Sequence, residues 1–358
     1  MKLRFLTSTP RNIREGSGTF AGISTLRRAV EAAGAEVEMC APETRWRSLT
    51  AQRLWFNRRL KPETDCDATI GFDMDGFLIA GRASRPHIAS IKGVIADEMR
   101  HERGVTRRLL GLQAACERLH VQRADAVFTT SRYAAQRIQE LYGISQPPSI
   151  VPELIHLAGW RELFQRHAAA PDPARFTVLC VCRFYPRKRV RLLLEAAARL
   201  RPQMPHLQVR IVGRGPEEAR LHRLSAQLQL GGTVHWLGDV SMSQLAGEYL
   251  RADLFCLPSV QEGFGIVFLE AMAAGKPILA ARAAAAPEVL PQGLLVEPDS
   301  SEALADGISR LGANATLRRL LGEKGRARVE EFDAPRVAAR FLDEVRRVTV
   351  METAFRPR

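Results

Sequence analysis

Apolar and polar positions follow two different patterns along this chain. Short runs rich in Val, Ile, Leu and Phe are typical of buried strands, and apolar residues spaced three or four apart are typical of amphipathic helices. The first half predicts strands at Leu3–Ser8, Glu36–Ala41, Ala68–Phe72, His87–Ile91, Ala126–Thr130 and Ser149–Val151. Helical patterns between them predict helices at Thr19–Ala33, Ala96–Arg123 and Tyr133–Tyr142.

The second half repeats this alternation. It predicts strands at Phe176–Cys182, Gln208–Val212, Thr233–Leu237, Asp253–Leu257 and Pro277–Ala281. Strands that alternate with helices favour the α/β class, with parallel sheets joined by crossover helices.

A length of 358 residues exceeds the usual size of one domain. Pro147-Pro148 and the stretch Ala168–Pro173 have the composition of a linker. We therefore predict one domain at 1–158, a second at 159–333, and a C-terminal segment at 334–358. An amphipathic pattern at Ala334–Val350 predicts a helix that either packs on the second domain or returns to the first, and the sequence leaves both possibilities open.

The composition is that of a globular protein, with 46% hydrophobic residues. No run reaches the roughly 18 apolar residues that a membrane span needs. The first ten residues turn polar too soon for a signal peptide and are typical of a first strand, so we expect a cytoplasmic location. The six cysteines have no metal-ligand spacing, which favours buried, reduced thiols.

The net charge of +13 comes mainly from arginine, since only six of the 52 basic residues are lysine. A diphosphate substrate, an anionic membrane surface and nucleic acid are all compatible with such a charge. No zinc-finger spacing or aromatic RNA-binding pattern supports nucleic acid as a partner.

The segment from Ser259 to Gly275 carries the most specific chemistry. Glu262 lies in a turn after a short apolar strand, Gly263-Phe264-Gly265 follows, and a helix predicted at Ile266–Ala274 contains Glu270. A glycine turn before a helix presents free N–H groups and a positive dipole end to an anion. Ionised carboxylates only accept hydrogen bonds, which suits the hydroxyls of a sugar and a ribose. A turn residue and a solvated helix residue are the alternative for the two glutamates.

Three further loops follow predicted strands. Arg183 and Lys188 lie where the first strand of the second domain ends, the place where such folds bind ligands. Gly213 and Gly215 permit another strand-to-helix turn, a structural role in the first place. The loop with Gly16 and Gly18 would let a backbone approach a phosphate. For the loop with Arg183 and Lys188 and for the loop with Gly16 and Gly18, an ordinary surface loop is the alternative.

Lys92 and the stretch Thr44–Lys61 add two hypotheses. Lys92 directly follows the strand predicted at His87–Ile91, where it either contacts a ligand or is an ordinary charged residue of a loop. Thr44–Lys61 has no acid, and on a helical wheel Trp46 shares one face with Phe56 while Trp55 lies opposite. This stretch is either a surface helix for an anionic membrane or lipid-linked substrate, or a crossover helix with a basic outer face.

With these residues in view, the chain resembles the retaining GT-B glycosyltransferases of the group 1 family, also called glycosyltransferase family 4. Their Glu-x7-Glu motif matches Glu262 to Glu270, and the match is most specific over residues 253–298. It extends to Arg183 with Lys188, to Gly213 with Gly215, and to Ala124–Tyr133. The resemblance implies a GT-B fold, in which two Rossmann-like parallel-sheet domains face each other across a cleft.

The resemblance also implies roles for matching residues. Arg183 and Lys188 would hold the donor diphosphate, Glu270 the ribose, and Glu262 the donor sugar. Lys92 stands where many relatives have a histidine near that sugar. The remaining donor contacts would be Gly16, Gly18, Gly263, Phe264, Gly265, Ile266 and Val267. The donor is a nucleoside diphosphate sugar, the acceptor a glycan or lipid-linked hydroxyl, and neither a metal nor another cofactor is expected.

Besides Lys92, the chain departs from the family pattern at two places. Cys182 replaces a glycine before the diphosphate arginine, and Ala283–Ala286 replaces a loop with paired glycines. A sugar-nucleotide epimerase of the same fold and a non-catalytic nucleotide-sugar-binding protein remain as alternatives to a transferase.

Overall fold

The computed structural model of the protein describes residues 1–9, 18–43, 46–82 and 84–355. The chain forms two compact units. Unit 1 comprises Met1–Leu154 together with Asp333–Arg358, and unit 2 comprises Ile155–Phe332.

Unit 1 is built on a six-stranded sheet in which neighbouring strands run parallel. The order β2-β1-β3-β4-β5-β6 places β3 and β4 side by side at its centre. Every residue of β3 and β4 is buried, as expected for central strands covered on both faces. The strands are β1 Lys2–Leu6, β2 Glu36–Cys40, β3 Ala68–Phe72, β4 His87–Ile91, β5 Ala126–Thr129 and β6 Ser149–Ile150.

The helices of unit 1 cover both faces of this sheet. They are α1 Gly18–Ala32, α2 Leu49–Arg59, α3 Ile95–Glu98, α4 Gly104–Arg123, α5 Arg132–Tyr142 and α14 Ala334–Phe355. The prediction of one continuous helix at Ala96–Arg123 is wrong, because the helix is interrupted after a short 3-10 turn at Met99–His101. Arg103 is extended and Gly104 takes a φ of +57°, so the chain changes direction before α4 begins.

The C-terminal helix α14 belongs to the core of unit 1. It packs against α1, and Val337, Phe341 and Val345 are fully or almost fully buried there. The ring of Phe341 lies 6.0 Å from Phe5 of β1 and 5.9 Å from Phe128 of β5, in edge-to-face geometry. The last helix in the sequence therefore packs into the same hydrophobic core as the first strand, β1.

Unit 2 repeats the architecture with a second six-stranded parallel sheet in the order β12-β11-β10-β7-β8-β9. Its strands are β7 Phe176–Val181, β8 Leu207–Val212, β9 Val234–Gly238, β10 Leu254–Leu257, β11 Ile278–Ala281 and β12 Leu294–Val296. Its helices are α6 Leu157–Gln165, α7 Val190–Leu200, α8 Glu218–Gln227, α9 Met242–Arg251, α10 Ile266–Ala273, α11 Ala286–Val289, α12 Ser301–Ala313 and α13 Ala315–Val329. Two parallel sheets confirm the predicted α/β class.

Candidate functional site

The sheet of unit 2 reverses its strand order between β7 and β10. The chain moves outward from β7 through β8 and β9, then returns to build β10, β11 and β12 on the other side. Loops at the carboxyl ends of the two strands beside such a reversal form a crevice that binds ligands. The segments after β7 and after β10 therefore form the candidate site.

Arg183 and Lys188 lie in the loop after β7. Residues Pro186–Lys188 form one turn of 3-10 helix, and Arg189 follows with a φ of +52° before α7 begins. The side chain of Arg183 is 37% exposed, and its Nη1 lies 4.0 Å from Oδ1 of Asp239. At that separation and exposure the guanidinium keeps most of its charge available to a ligand.

Gly213 and Gly215 pack directly under this loop. A Cβ on Gly213 would lie 2.0 Å from the carbonyl oxygen of Cys182, and one on Gly215 would lie 2.5 Å from the nitrogen of Phe184. Neither backbone atom has room to move aside. The predicted structural role of both glycines is confirmed, since larger residues would push out the loop that carries Arg183.

Backbone contacts bring the segment after β10 onto the segment after β7. The nitrogen of Val260 donates to the carbonyl oxygen of Arg187 at 2.9 Å, and the Ser259 hydroxyl donates to the same oxygen at 3.2 Å. Because Arg187 precedes Lys188 and Val260 is close to Glu262, these bonds place the two charged side chains together.

Lys188 and Glu262 form an ion pair. The Lys188 ammonium donates to Oε1 of Glu262, and the side chains are only 14% and 9% exposed. The sequence predicted both residues as ligand contacts but not their pairing. An anion that binds Lys188 must therefore share its ammonium with Glu262 or displace that carboxylate.

Gly263, Phe264 and Gly265 lead from Glu262 into α10. Gly265 has a φ of +93°, and a Cβ there would lie 2.5 Å from the ring of Phe268. Phe264 is buried, with its ring 5.3 Å from that of Phe332.

The helix α10 begins at Ile266 and continues with Val267, and its N-cap residue, Gly265, has no side chain that could cap it. Its first N–H groups and its positive dipole end thus lie directly after the loop that carries Glu262.

Glu270 lies on α10, where Tyr249 of α9 holds it. The Tyr249 hydroxyl donates to Oε2 of Glu270 at 2.8 Å, and the tyrosine is completely buried. Burial raises the pKa of Glu270 to about 7, while the Tyr249 hydrogen bond opposes that rise. One carboxyl oxygen of Glu270 is thus fixed by the protein, and no hydrogen bond to the other is found among the described residues.

Lys92 of unit 1 lies at the carboxyl end of β4, where it pairs with a buried carboxylate. Its Nζ lies 3.2 Å from Oε2 of Glu153, and both side chains are 5% exposed. Its backbone nitrogen donates to Oδ1 of Asp73 at 2.9 Å. The ammonium is thus engaged inside unit 1, and a donor-side role for Lys92 stays a prediction.

Asp73 follows β3 in a strained conformation, with a φ of +52°. It is buried, and burial raises the pKa of its carboxyl to about 6, a rise that the charge of Arg53 opposes. Nδ1 of His120 lies 2.5 Å from the Asp73 carbonyl oxygen, and Nε2 of His120 lies 2.8 Å from Nε2 of His87. This pair of buried histidines holds the Asp73 backbone in place.

The glycine loop after β1 is only partly described. Gly16 lies outside the described residues, and Gly18 is the first residue of α1. Their predicted contact with a phosphate stays a prediction.

The two remaining departures from the family pattern lie beside the site of unit 2. Ala284 takes a φ of +51°, and the nitrogen of Ala285 donates to the carbonyl oxygen of Glu262 at 3.3 Å. Cys182 lies with its sulfur 4.0 Å from that of Cys180. Both departures therefore shape the surroundings of Glu262 and Arg183.

Two neighbouring helices of unit 1, α2 and α4, form an exposed surface, which we call the α2–α4 surface. Gln113 joins them, because it donates to the hydroxyl of Thr50 at 2.7 Å and accepts from Arg53 at 2.8 Å. Within 46–61 and 103–123 the single acid, Glu117, is fully buried, so every exposed residue is neutral or basic. The large apolar residues exposed there are Trp46, Leu49, Trp55, Val105, Leu109, Leu112 and Leu119.

The predicted placement of Trp46 opposite Trp55 is wrong. Trp46 precedes Ser48, the N-cap of α2, so it is not part of the helix, and its ring lies 5.1 Å from that of Trp55. The Arg59 guanidinium covers Trp55 at 4.6 Å. Among the described residues no helix is long and apolar enough to cross a bilayer.

Sequence reasoning missed Tyr249 and Glu153. Tyr249 occupies an apolar position of an amphipathic helix, so its pattern is that of a core residue. Glu153 follows Val151 and Pro152 in a loop without regular secondary structure. No spacing connects either residue to its partner, since each contact depends on how separate elements pack.

Comparison with known proteins finds a family that resembles the part of the chain that carries this site. Residues 162–328, which include nearly all of unit 2, match the family described as "Glycosyl transferases group 1". A relative from Mycobacterium tuberculosis is the GDP-mannose-dependent alpha-(1-6)-phosphatidylinositol monomannoside mannosyltransferase. It is 29% identical over 286 residues, which cover 75% of this chain and 72% of the relative.

Solved structures support the fold over the whole chain. Sucrose-phosphate synthase from Thermosynechococcus elongatus has a TM-score of 0.81 at 22% identity, covering 98% of this chain and 99% of that one. Anabaena HepE, solved with UDP-glucose, has a TM-score of 0.73 at 18% identity, covering 97% and 99%. At these identities the likeness concerns the fold, which is the GT-B architecture of two parallel-sheet units.

Proposed function

We propose that this chain is a group 1 glycosyltransferase, and that it transfers a sugar from a nucleoside diphosphate sugar to an acceptor hydroxyl with retained anomeric configuration. One observation carries this proposal. Lys188, Glu262 and the uncapped N-terminus of α10 converge where the strand order of unit 2 reverses. Cations and a helix N-terminus together suit a diphosphate, and the carboxylate suits the hydroxyls of the attached sugar.

Charge stabilisation by preorganised groups supplies most of the catalysis in this proposal. As the bond between the sugar and the diphosphate breaks, negative charge grows on the leaving phosphate. Arg183, Lys188 and the first N–H groups of α10 stabilise that charge, and their positions are fixed before the reaction begins. These groups supply the positive charge themselves, so we expect transfer without a metal ion.

The two glutamates position the donor and do not act as an acid and a base. Glu262, beside the Lys188 ammonium, holds the sugar, and Glu270, held by Tyr249, binds the ribose. A hydrolase of the double-carboxylate type places both carboxyl groups across one glycosidic bond. Here Glu262 is paired with a cation and Glu270 with a buried tyrosine, so orientation of the donor is the role that suits both.

The acceptor we infer is a glycan or lipid-linked hydroxyl met at the inner face of a membrane. The mycobacterial relative is named for a lipid acceptor, which supports this class. The α2–α4 surface supports a peripheral contact, because apolar side chains enter the headgroup region while arginines meet anionic lipids. The paired rings of Trp46 and Trp55 are typical of such an interface.

Liposome sedimentation tests this contact. The protein should bind vesicles that contain anionic lipid at low salt and should detach at high salt, because exposed charges are screened. Arg58→Glu with Arg59→Glu should remove that binding. Arg310→Glu with Arg319→Glu makes the same charge change at exposed positions of unit 2 and should leave it intact. Equal binding by both double variants would contradict the membrane contact.

A thermal-shift panel of UDP-, GDP-, ADP- and TDP-sugars tests the donor class. A ligand that binds only the folded state raises the unfolding temperature by mass action. We expect one base to give a larger shift than the others, and Arg183→Ala to reduce that shift. No shift with any nucleotide sugar would contradict the proposed function.

A further inference from the structure

We propose that Tyr249 is a positioning residue for the nucleotide: its hydroxyl holds one oxygen of Glu270 so that the other is presented to the ribose. The inference rests on the proposed function and deepens it, because it adds a residue to donor recognition.

The geometry of the Tyr249–Glu270 pair carries the proposal. Tyr249 is completely buried, and its hydroxyl donates to Oε2 of Glu270 at 2.8 Å. The same hydroxyl lies 3.3 Å from the carbonyl oxygen of Val267, one turn earlier on α10. Both contacts are to α10, so the tyrosine fixes the carboxyl relative to the N-terminal turn of the helix that is proposed to meet the diphosphate.

The ring of Tyr249 is held independently of its hydroxyl. It lies 5.8 Å from Trp160 of α6 and 5.8 Å from Phe255 of β10. Tyr249→Phe therefore removes one hydrogen bond and leaves the aromatic packing in place. Burial also raises the pKa of Tyr249 well above its usual value, so the hydroxyl keeps its proton and remains a donor.

The surroundings of Glu270 favour the protonated carboxyl in the unliganded protein. The elements packed against α10 include α6, α13 and β11, together with α9, which carries Tyr249, and β10, which carries Phe255. Tyr249 is the titratable group that acts on the carboxyl, and Tyr249 in turn faces Cys180 of β7. Arg326 of α13 lies against Gly275, beyond the end of α10.

A ribose changes this balance. An ionised carboxylate accepts from Tyr249 at Oε2 and from a ribose hydroxyl at Oε1, whereas a neutral carboxyl loses part of this accepting capacity. Because burial raises the pKa of Glu270 to about 7, the free protein must give up a proton to bind at lower pH. Affinity should therefore fall as the pH decreases below about 7, by up to tenfold per pH unit.

Calorimetric titration with a nucleotide sugar tests the inference. UDP-glucose and GDP-mannose are suitable probes, because both of their phosphates are diesters and lack the second ionisation near pH 6 of a terminal phosphate. Wild type, Tyr249→Phe and Glu270→Gln are titrated from pH 5.5 to 8.5 in two buffers of different ionisation enthalpy. Tyr133→Phe, which loses a hydroxyl contact to Asp97 in unit 1, is the matched control.

We expect wild type and Tyr133→Phe to release a proton on binding below about pH 7. Tyr249→Phe should bind about tenfold more weakly, the loss of one hydrogen bond to a charged group, with its pH midpoint moved upward. Glu270→Gln should bind weakly with a flattened pH profile. Tyr249→Phe with wild-type affinity and midpoint would overturn the inference, as would an unaltered profile in Glu270→Gln. Absence of binding by wild type to any nucleotide sugar would instead overturn the proposed function.

Discussion

Removal of the negative charge of Glu262 should strengthen the binding of a free nucleoside diphosphate. In the unliganded protein this carboxylate occupies the Lys188 ammonium, and the side chains are 9% and 14% exposed. A diphosphate has to compete for that ammonium and also approaches a like charge. Glu262→Gln keeps the shape of the side chain, frees the cation and removes the repulsion.

The size of the effect follows from the strength of this pair. A hydrogen bond to a charged group contributes about 1.5–3 kcal/mol in a folded protein. An ammonium has three donors, so Lys188 keeps part of its bond to Glu262 when a phosphate arrives. We therefore expect about 1 kcal/mol in favour of binding, or roughly fivefold tighter affinity for the diphosphate. Transfer should fall in the same variant, since the sugar loses its carboxylate.

Isothermal titration with the nucleoside diphosphate measures this directly. Glu302→Gln is the control, because it makes the same charge change on α12 at a side chain that is 73% exposed. The control should match wild type. Affinity of Glu262→Gln for the diphosphate at or below the wild-type value would refute the reasoning. It would mean that the pair with Glu262 does not weaken the binding of the diphosphate to Lys188.

Three further substitutions test other contacts of the two units. Lys92→Ala should lower the free energy of unfolding by about 3–5 kcal/mol, because it leaves Glu153 buried and unpaired. In denaturant titrations, adding Glu153→Gln to this variant should restore part of the lost stability. An unchanged unfolding midpoint in Lys92→Ala would contradict the importance of the pair. Gly265→Ala should abolish nucleotide binding in calorimetry, since a Cβ meets the next helical turn at 2.5 Å, whereas Gly231→Ala, with nothing within 4 Å, should bind normally. Arg183→Ala should reduce turnover about 10²-fold in a donor-consumption assay, and a near-normal rate would exclude it from the diphosphate site.

The elements of the fold follow closely from local patterns. The strands at Ala68–Phe72 and His87–Ile91 begin and end where the sequence predicts, because continuous apolar runs bounded by polar residues are typical of strands buried on both faces. The break before α4 was not predicted. It depends on the backbone angles of Arg103 and Gly104, and the apolar spacing on either side is helical.

The sequence indicated Lys188 and Glu262 separately as candidate ligand contacts, but it did not predict that they pair. Lys188 and Glu262 are far apart in sequence and meet because Val260 bonds to the backbone of Arg187. Such contacts between loops have no local signal. Tyr249 reaches Glu270 from another helix, so its amphipathic pattern predicts a core position and nothing more.

The anomeric configuration of the first product tests the central claim most directly. Without acceptor, a retaining glycosyltransferase passes the sugar slowly to water, and proton NMR distinguishes the two anomers before they interconvert. With an α-linked nucleotide sugar, the account predicts that the α anomer appears first, and that Arg183→Ala and Lys188→Ala slow its release. Release of the β anomer first, or no consumption of any nucleotide sugar by wild type, would contradict the account.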